Sequence, residues 1–309
     1  MARVAAVDCG TNSIRLLVAD VDPATRRLVD VDRRMEVVRL GQDVDRTGRL
    51  ATDAVERTLA ATRRYASVIA EHGAERVRFV ATSATRDAAN AAEFADGVAG
   101  VLGVRPEVVT GQDEARLSFA GASAGIAGGG PTLVVDLGGG STELVLGEDG
   151  TVVAAHSMDV GCVRMTERHL ADDPPTPGQL AAATADVDAA LAAAMRQVAV
   201  RHAATLVGVA GTVTTITAHA LGLDRYDPER IHATVLPADD VLAACAELLA
   251  MGRTARAALP YMHPGRVDVI GAGALVWSRV VATVRAEAGL DQVTTSEHDI
   301  LDGIALSMV

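Results

Sequence analysis

The pattern that most constrains this chain occurs twice: an apolar run, an aspartate, a glycine-bearing turn and a second apolar run. Near the N-terminus it reads ARVAAVDCGTNSIRLLVAD, residues 2–20. Farther along it reads TLVVDLGGGSTELVLG, residues 132–147. Aligned without a gap, Asp8 falls on Asp136, Gly10 on Gly138, Ser13 on Ser141 and Leu16 on Leu144. One such loop is an ordinary hairpin. Two in one register point to related lobes and an ancient duplication. Glycines let the backbone turn tightly and present successive N–H groups, a concave set that suits phosphate oxygens. Asn12, Ser13, Ser141 and Thr142 add side-chain donors. Asp8 and Asp136 repel phosphate, so their natural role is to hold Mg2+, directly or through water. The echo fails where Arg15 aligns with Glu143. One copy offers a phosphate ligand, the other a second metal ligand or a positioner of water.

The surrounding pattern is that of an α/β protein in two lobes. Strand-like runs at residues 3–20 and 27–41 precede a helix expected from Asp53, with Glu56 completing a capping box and Gly73 closing it. VRFVAT and RPEVVTG read as strands, and each leads into a helix. GIAGGGP, Gly125 to Pro131, is too rich in glycine for an element interior and reads as a linker. The expected domains are therefore 1–125 and 126–309, with the final helix packing back near the hinge. In the second lobe a long alanine-rich helix is expected from Gln179 to His202. GVAGTVTT, from Gly208, forms a third glycine turn that opens a helix. It reads as an anion site or as tight strand–helix packing.

Composition narrows the function. Aromatic residues make up 2% of the 309-residue chain, too few for the stacking platforms of single-stranded nucleic-acid binding, and the net charge of −12 supplies no broad basic field. Neither a nucleic acid nor a membrane is an expected partner. Cys9, Cys162 and Cys245 are widely spaced and odd in number, which suits buried thiols in the cytoplasm. No signal peptide or membrane-spanning run is visible. There is no P-loop, and the glycines lead back into a strand, unlike a dinucleotide fingerprint.

Cleaving a phosphoanhydride needs phosphate positioning, charge neutralisation and a group that orients and deprotonates water. TGQDEARLSFAG offers Glu114 for the last task, at the start of a helix, although Asp113 and Glu107 compete on residue type alone. ATSATRDAAN offers Arg86 at a strand-to-helix turn as a phosphate contact. Arg15, Arg164 and Arg266 are further candidates for basic contacts. His263 and His298 have no second imidazole at ligand spacing and read as structural.

VDCGTNSIRLLVAD, ATSATRDAANAAEF, TGQDEARLSFAG, VVDLGGGSTELVLG, GVAGTVTTITA, RVDVIGAGAL and SEHDILDGIAL stand in the order expected of the Ppx/GppA phosphatase family. The resemblance spans essentially the whole chain and is closest to the short, two-domain actinobacterial exopolyphosphatases, without the helical domains of longer members. It implies two actin-like (ribonuclease H-like) domains with an interdomain active-site cleft. It implies hydrolysis of the terminal phosphoanhydride of inorganic polyphosphate by a homodimer, with Mg2+ or Mn2+. By that resemblance Glu114 is the general base, and Asp136 and Glu143 are associated with metal and water. Gly10, Thr11, Asn12 and Ser13 bind phosphate, as do Gly138, Gly139, Gly140, Ser141 and Thr142. Arg86 lines the phosphate path. Cys9 departs from the aliphatic residue common at its position. The sibling activity, hydrolysis of pppGpp to ppGpp, would use the same constellation. From other classes, an actin-like nucleotide-binding protein and a regulatory polyphosphate binder are the rivals.

Overall fold

The computed structural model describes residues 1–123, 126 and 129–309. The linker expected at 125–131, and the boundary placed within it, lie partly outside the described residues. The chain divides into two units, Met1–Gly121 with Ile300–Val309, and Ala122–Asp299.

In the first unit β1 (Ala2–Cys9), β2 (Ser13–Val21) and β3 (Leu28–Val37) form an antiparallel meander. β4 (Arg76–Ala81) and then β5 (Glu107–Val108) add in parallel on the other side of β1, giving the order β3-β2-β1-β4-β5. α1 (Val44–Thr47) and α2 (Thr52–His72) connect β3 to β4. α3 (Ser83–Arg86) and α4 (Ala91–Leu102) connect β4 to β5, and α5 (Gly111–Ala122) follows. Side chains alternate between the faces of a strand. Ala5, Val7 and Cys9 accordingly pack with Tyr65, Val68, Phe94 and Val98 of α2 and α4, while Val4 and Ala6 take the opposite face. Burial on both faces explains the nearly unbroken apolar run. It also places Asp8 next in line after Val4 and Ala6.

The capping box expected at Asp53 and Glu56 does not form. The helix begins at Thr52, after an Ala51 cap without a side-chain bond, and Asp53 pairs with Arg57 one turn on, at 2.5 Å. Gly73 closes the helix in the left-handed conformation, at φ 63°.

In the second unit β6 (Thr132–Leu137), β7 (Thr142–Glu148) and β8 (Thr151–Met158) form a second antiparallel meander. β9 (Thr205–Val209) joins β6 in parallel and β11 (Gln292–Thr295) joins β9, while β10 (Val235–Pro237) is an antiparallel edge on β11. Read from β8, the order β8-β7-β6-β9-β11 repeats the first sheet strand for strand and direction for direction. The repeated motif implied two related lobes, and the matching sheets bear that out in the actin-like architecture that the family resemblance implied. α6 (Cys162–His169), α7 (Pro177–Met195), α8 (Ala210–Ala220), α9 (Pro228–Ile231), α10 (Ala238–Ala250), α11 (Arg253–Ala257) and α12 (Ile270–Ala288) complete the unit. α7 is shifted from its expected span. Thr176 and Gln179 form a capping box with Pro177 in the first turn. Beyond Met195 the chain leaves the helix so that Val198 and Val200 enter the core.

The chain ends in α13 (Ile300–Leu306), which belongs to the first unit. Ile300, Leu301 and Ile304 cover the Val4–Ala6 face, and Asp302, almost wholly buried, is bonded by Arg33 at 2.5 Å.

Candidate active site

In the first unit β1 carries Asp8 to the carboxyl end of the sheet, directly opposite Arg15 on β2. Arg15 donates to one Asp8 oxygen through Nε at 2.9 Å and Nη2 at 2.7 Å. The turn closes with Gly10 N–H on Ser13 O at 2.9 Å. The segment after β3 holds the turn from behind: Gly41 N–H donates to Thr11 O at 2.8 Å, and Val38 and Arg39 N–H donate to Asn12 O at 3.0 and 2.8 Å. Thr11 Oγ1 and Ser83 Oγ lie 2.9 Å apart, joining the turn to α3.

α3 ends in Arg86, whose Nη1 donates to Glu114 Oε2 and to Val109 O, each at 3.1 Å. Glu114 is 7% exposed. Leu117, one turn farther along α5, packs on the same cluster as Val4 and Ala6, the residues that precede Asp8 on its face. The competing acids are used elsewhere. Asp113 accepts from Thr110 Oγ1 at 2.7 Å and pairs with Arg116 at 3.3 Å, and Glu107 pairs with Arg78 at 2.8 Å on the sheet edge. The first unit thus gathers Asp8, Gly10–Ser13, Arg15, Arg86 and Glu114 at one end of its sheet. The Cys9 thiol beside them is pushed well above its usual range, by burial first and the Asp8 charge second, so it stays neutral.

The second unit closes its turn with the equivalent backbone bond. Gly138 N–H bonds Ser141 O at 3.0 Å, and Asp136 stands directly opposite Glu143. The two acids are 6% and 1% exposed, and Ser157 Oγ donates to Glu143 Oε1 at 2.7 Å. Where the first unit sets an arginine against its aspartate, this one sets a second carboxylate. Two buried acids in register form a hard oxygen donor set that fits Mg2+ or Mn2+, with waters or phosphate oxygens supplying the remaining ligands. Among the described residues no group of three or more His, Cys, Asp or Glu side chains could hold a metal by itself.

Behind this loop lies α6. Cys162 N–H donates to Gly138 O at 3.0 Å, Val163 and Arg164 N–H donate to Gly139 O at 2.8 and 3.1 Å, and Arg164 Nε donates to Gly140 O at 2.7 Å. A Cβ on Gly161 would come within 2.5 Å of the Gly139 backbone, so only glycine fits there without displacing the loop. Neither Gly161 nor Gly41 stood out in the sequence. The one signal was a glycine soon after the third strand of each sheet.

At the third glycine turn, a Cβ on Gly208 would meet the Trp277 ring at 2.5 Å, which favours the packing reading for that glycine. Gly211 lies under the Arg266 guanidinium, which also donates to Thr215 Oγ1 at 3.2 Å. Ala210, between them, adopts φ 71°. His263 caps a short turn by accepting Gly265 N–H at 3.1 Å, and His298 packs edge-on against His232. No helix among the described residues is long and apolar enough to cross a membrane.

The sequence profile of the Ppx/GppA phosphatase family matches residues 17–308. Exopolyphosphatase 2 of Mycobacterium tuberculosis is 52% identical over 316 aligned positions, which take in 100% of this chain and 99% of that protein. A guanosine-5'-triphosphate,3'-diphosphate pyrophosphatase of Aeromonas salmonicida is 32% identical over 92% of this chain and 55% of its own length. The crystal structure of an Aquifex aeolicus member of the Ppx/GppA family superposes with a TM-score of 0.82 at 30% identity, covering 99% of this chain and 97% of that one.

Proposed function

Because the chain belongs to the Ppx/GppA phosphatase family, we infer that it is an exopolyphosphatase, a phosphoanhydride hydrolase that releases orthophosphate from the end of inorganic polyphosphate. The observation that carries the chemistry is the pair of equivalent turns with unlike partners, Asp8 with Arg15 and Asp136 with Glu143.

The amide groups of Thr11–Ser13 and of Gly139–Ser141 bind phosphate oxygens, each loop with its serine hydroxyl, Ser13 or Ser141, beside them. The Gly10 and Gly138 N–H groups close the turns, and the Thr142 hydroxyl, expected to contact phosphate, instead donates to Val160 O at 2.5 Å. Asp136 and Glu143 hold the divalent cation, Mg2+ or Mn2+. Bound there, it would neutralise charge on the phosphates. Asp8, the third expected ligand, also anchors the Arg15 guanidinium through one of its two oxygens. Glu114 orients water and takes its proton as the water oxygen attacks the terminal phosphorus. The bridging P–O bond breaks in line, and the shortened chain leaves on its own oxyanion. Arg86 bonds one Glu114 oxygen and directs the carboxylate while offering its remaining donors to phosphate.

Hydrolysis of pppGpp is the second reading, supported by the Aeromonas relative. With the function go a cytoplasmic location and a homodimer, which fractionation and light scattering test directly. The deciding assay follows phosphate release with Mg2+ from short polyphosphate, long polyphosphate, pppGpp and ATP, each with Glu114→Gln as control. Release from polyphosphate that the substitution abolishes is the expected result. Release from pppGpp alone moves the protein to the sibling activity. Silence on all four overturns the enzymatic reading in favour of a binding role.

A further inference from the structure

We propose that the first turn of α6 orients the phosphate-binding peptides of the second loop, with Arg164 and Gly161 as positioning residues. The proposal rests on the loop's phosphate-binding role. Three consecutive loop carbonyls, those of Gly138, Gly139 and Gly140, accept bonds from Cys162, Val163 and Arg164. In a trans peptide the following N–H points opposite to the carbonyl. The Gly139, Gly140 and Ser141 N–H groups therefore face away from α6, all to one side.

Amides in the first turn of a helix are ordinarily open to an anion. In α6 they are spent on the loop, whose own amides turn outward in their place. Hydrogen bonds in series polarise one another, so the positive end of α6 acts through the loop on whatever the loop binds. Arg164 adds a charge-assisted bond to Gly140 O, which strengthens Ser141 N–H as a donor. Gly161 permits the close approach, because any side chain there would push into the Gly139 and Gly140 backbone. The first unit has a counterpart in Val38, Arg39 and Gly41, which hold the Thr11 and Asn12 carbonyls. No charged side chain is among these donors. Arg164 is thus a feature of the second loop in its own right and, on this reading, no part of a substrate track.

Two substitutions separate orientation from substrate contact. Arg164→Gln keeps an N–H donor at the chain position of Nε and removes the charge. Arg164→Met fills the same space without a donor. Turnover of polyphosphate is measured beside the 15N shift of Ser141, assigned by its loss in Ser141→Ala. The Gln variant is expected to keep kcat and KM within about threefold of the parent and the Ser141 signal near its place. The Met variant is expected to move that signal and lose about 10- to 100-fold in kcat at little-changed KM, as a misplacement of about an ångström does. Equal losses in both variants with raised KM would mean that the guanidinium touches substrate, and full activity in both would mean that the bond orients nothing. Either overturns the proposal. A parent silent on polyphosphate and pppGpp overturns the functional reading instead. The Ser141 shift, which needs no turnover, then decides: a signal that stays put in the Met variant ends the proposal.

Discussion

The two loops share a backbone and differ in charge. Gly10 and Gly138 close the same turn on Ser13 and Ser141, and each aspartate faces the equivalent position on the next strand. In one unit that position is arginine, in the other glutamate. The first loop binds its aspartate internally and offers cationic character. The second concentrates negative charge and invites a cation. The repeat keeps the scaffold, and one position sets the charge of the two loops apart.

Four experiments test how far that division goes. The largest effect is expected from Glu114→Gln, at the proposed base of the arginine-bearing unit. It should lower kcat by about 10³-fold with KM within about threefold, since a positioned base supplies a factor of that order. A fall in binding alone would take Glu114 out of the chemistry. Next come paired changes at the divergent position. Glu143→Gln should raise the Mg2+ needed for half-maximal activity by about 10- to 100-fold, at least the effect of losing an outer-shell partner. Arg15→Gln should leave that requirement alone and raise KM about 10-fold, the worth of a bond to a charged group. Equal metal responses would erase the comparison.

Smaller effects are expected behind the loops. In urea unfolding, Gly161→Ala should cost about 2 kcal/mol, because the added methyl meets backbone. Gly41→Ala meets the Thr11 side-chain methyl instead. It should cost about 1 kcal/mol and be partly restored by Thr11→Ser, which removes that methyl and leaves the Ala84 Cβ at 3.0 Å. A failed rescue would show that the first turn is as rigidly backed as the second. The smallest effect concerns His263. Burial first, and the Arg266 charge second, hold its pKa below 6.5. The unfolded chain then takes up this proton at higher pH than the native one, so this part of the stability rises with pH and is lost as pH falls through 6.5. His263→Gln should flatten that slope in unfolding curves taken from pH 5 to 8. An unchanged slope would assign it to other groups.

The loops were legible because their signal is local and repeated: an acid, a glycine and a serine at fixed spacing inside apolar runs. The C-cap at Gly73 was legible for a similar reason, since left-handed backbone favours glycine. What was missed depends on partners distant in sequence. Asp53 was read as half of a capping box but bonds Arg57. The end of α7 was set too late because burial of Val198 and Val200 outweighed the helix preference of the preceding alanines. Residue type left Glu114 level with Asp113 and Glu107. Arg86, twenty-eight residues away, is what separates it in the fold. Gly41 and Gly161 are single letters whose meaning is a close approach, to the Thr11 side chain in one case and to the Gly139 backbone in the other, that only the folded chain contains.

The return of α13 to the first unit bears on how the protein is made. Val4, Ala6, Leu17 and Val21 are translated before the second unit, yet Ile300, Leu301 and Ile304, which cover them, emerge only after it. Synthesis at ~5–20 residues per second leaves that face of the nascent sheet wet for many seconds. The second unit, complete at Asp299, has every element of its own core before the first does. On the ribosome the part begun first is finished last, and its open face during that interval is where a chaperone would bind.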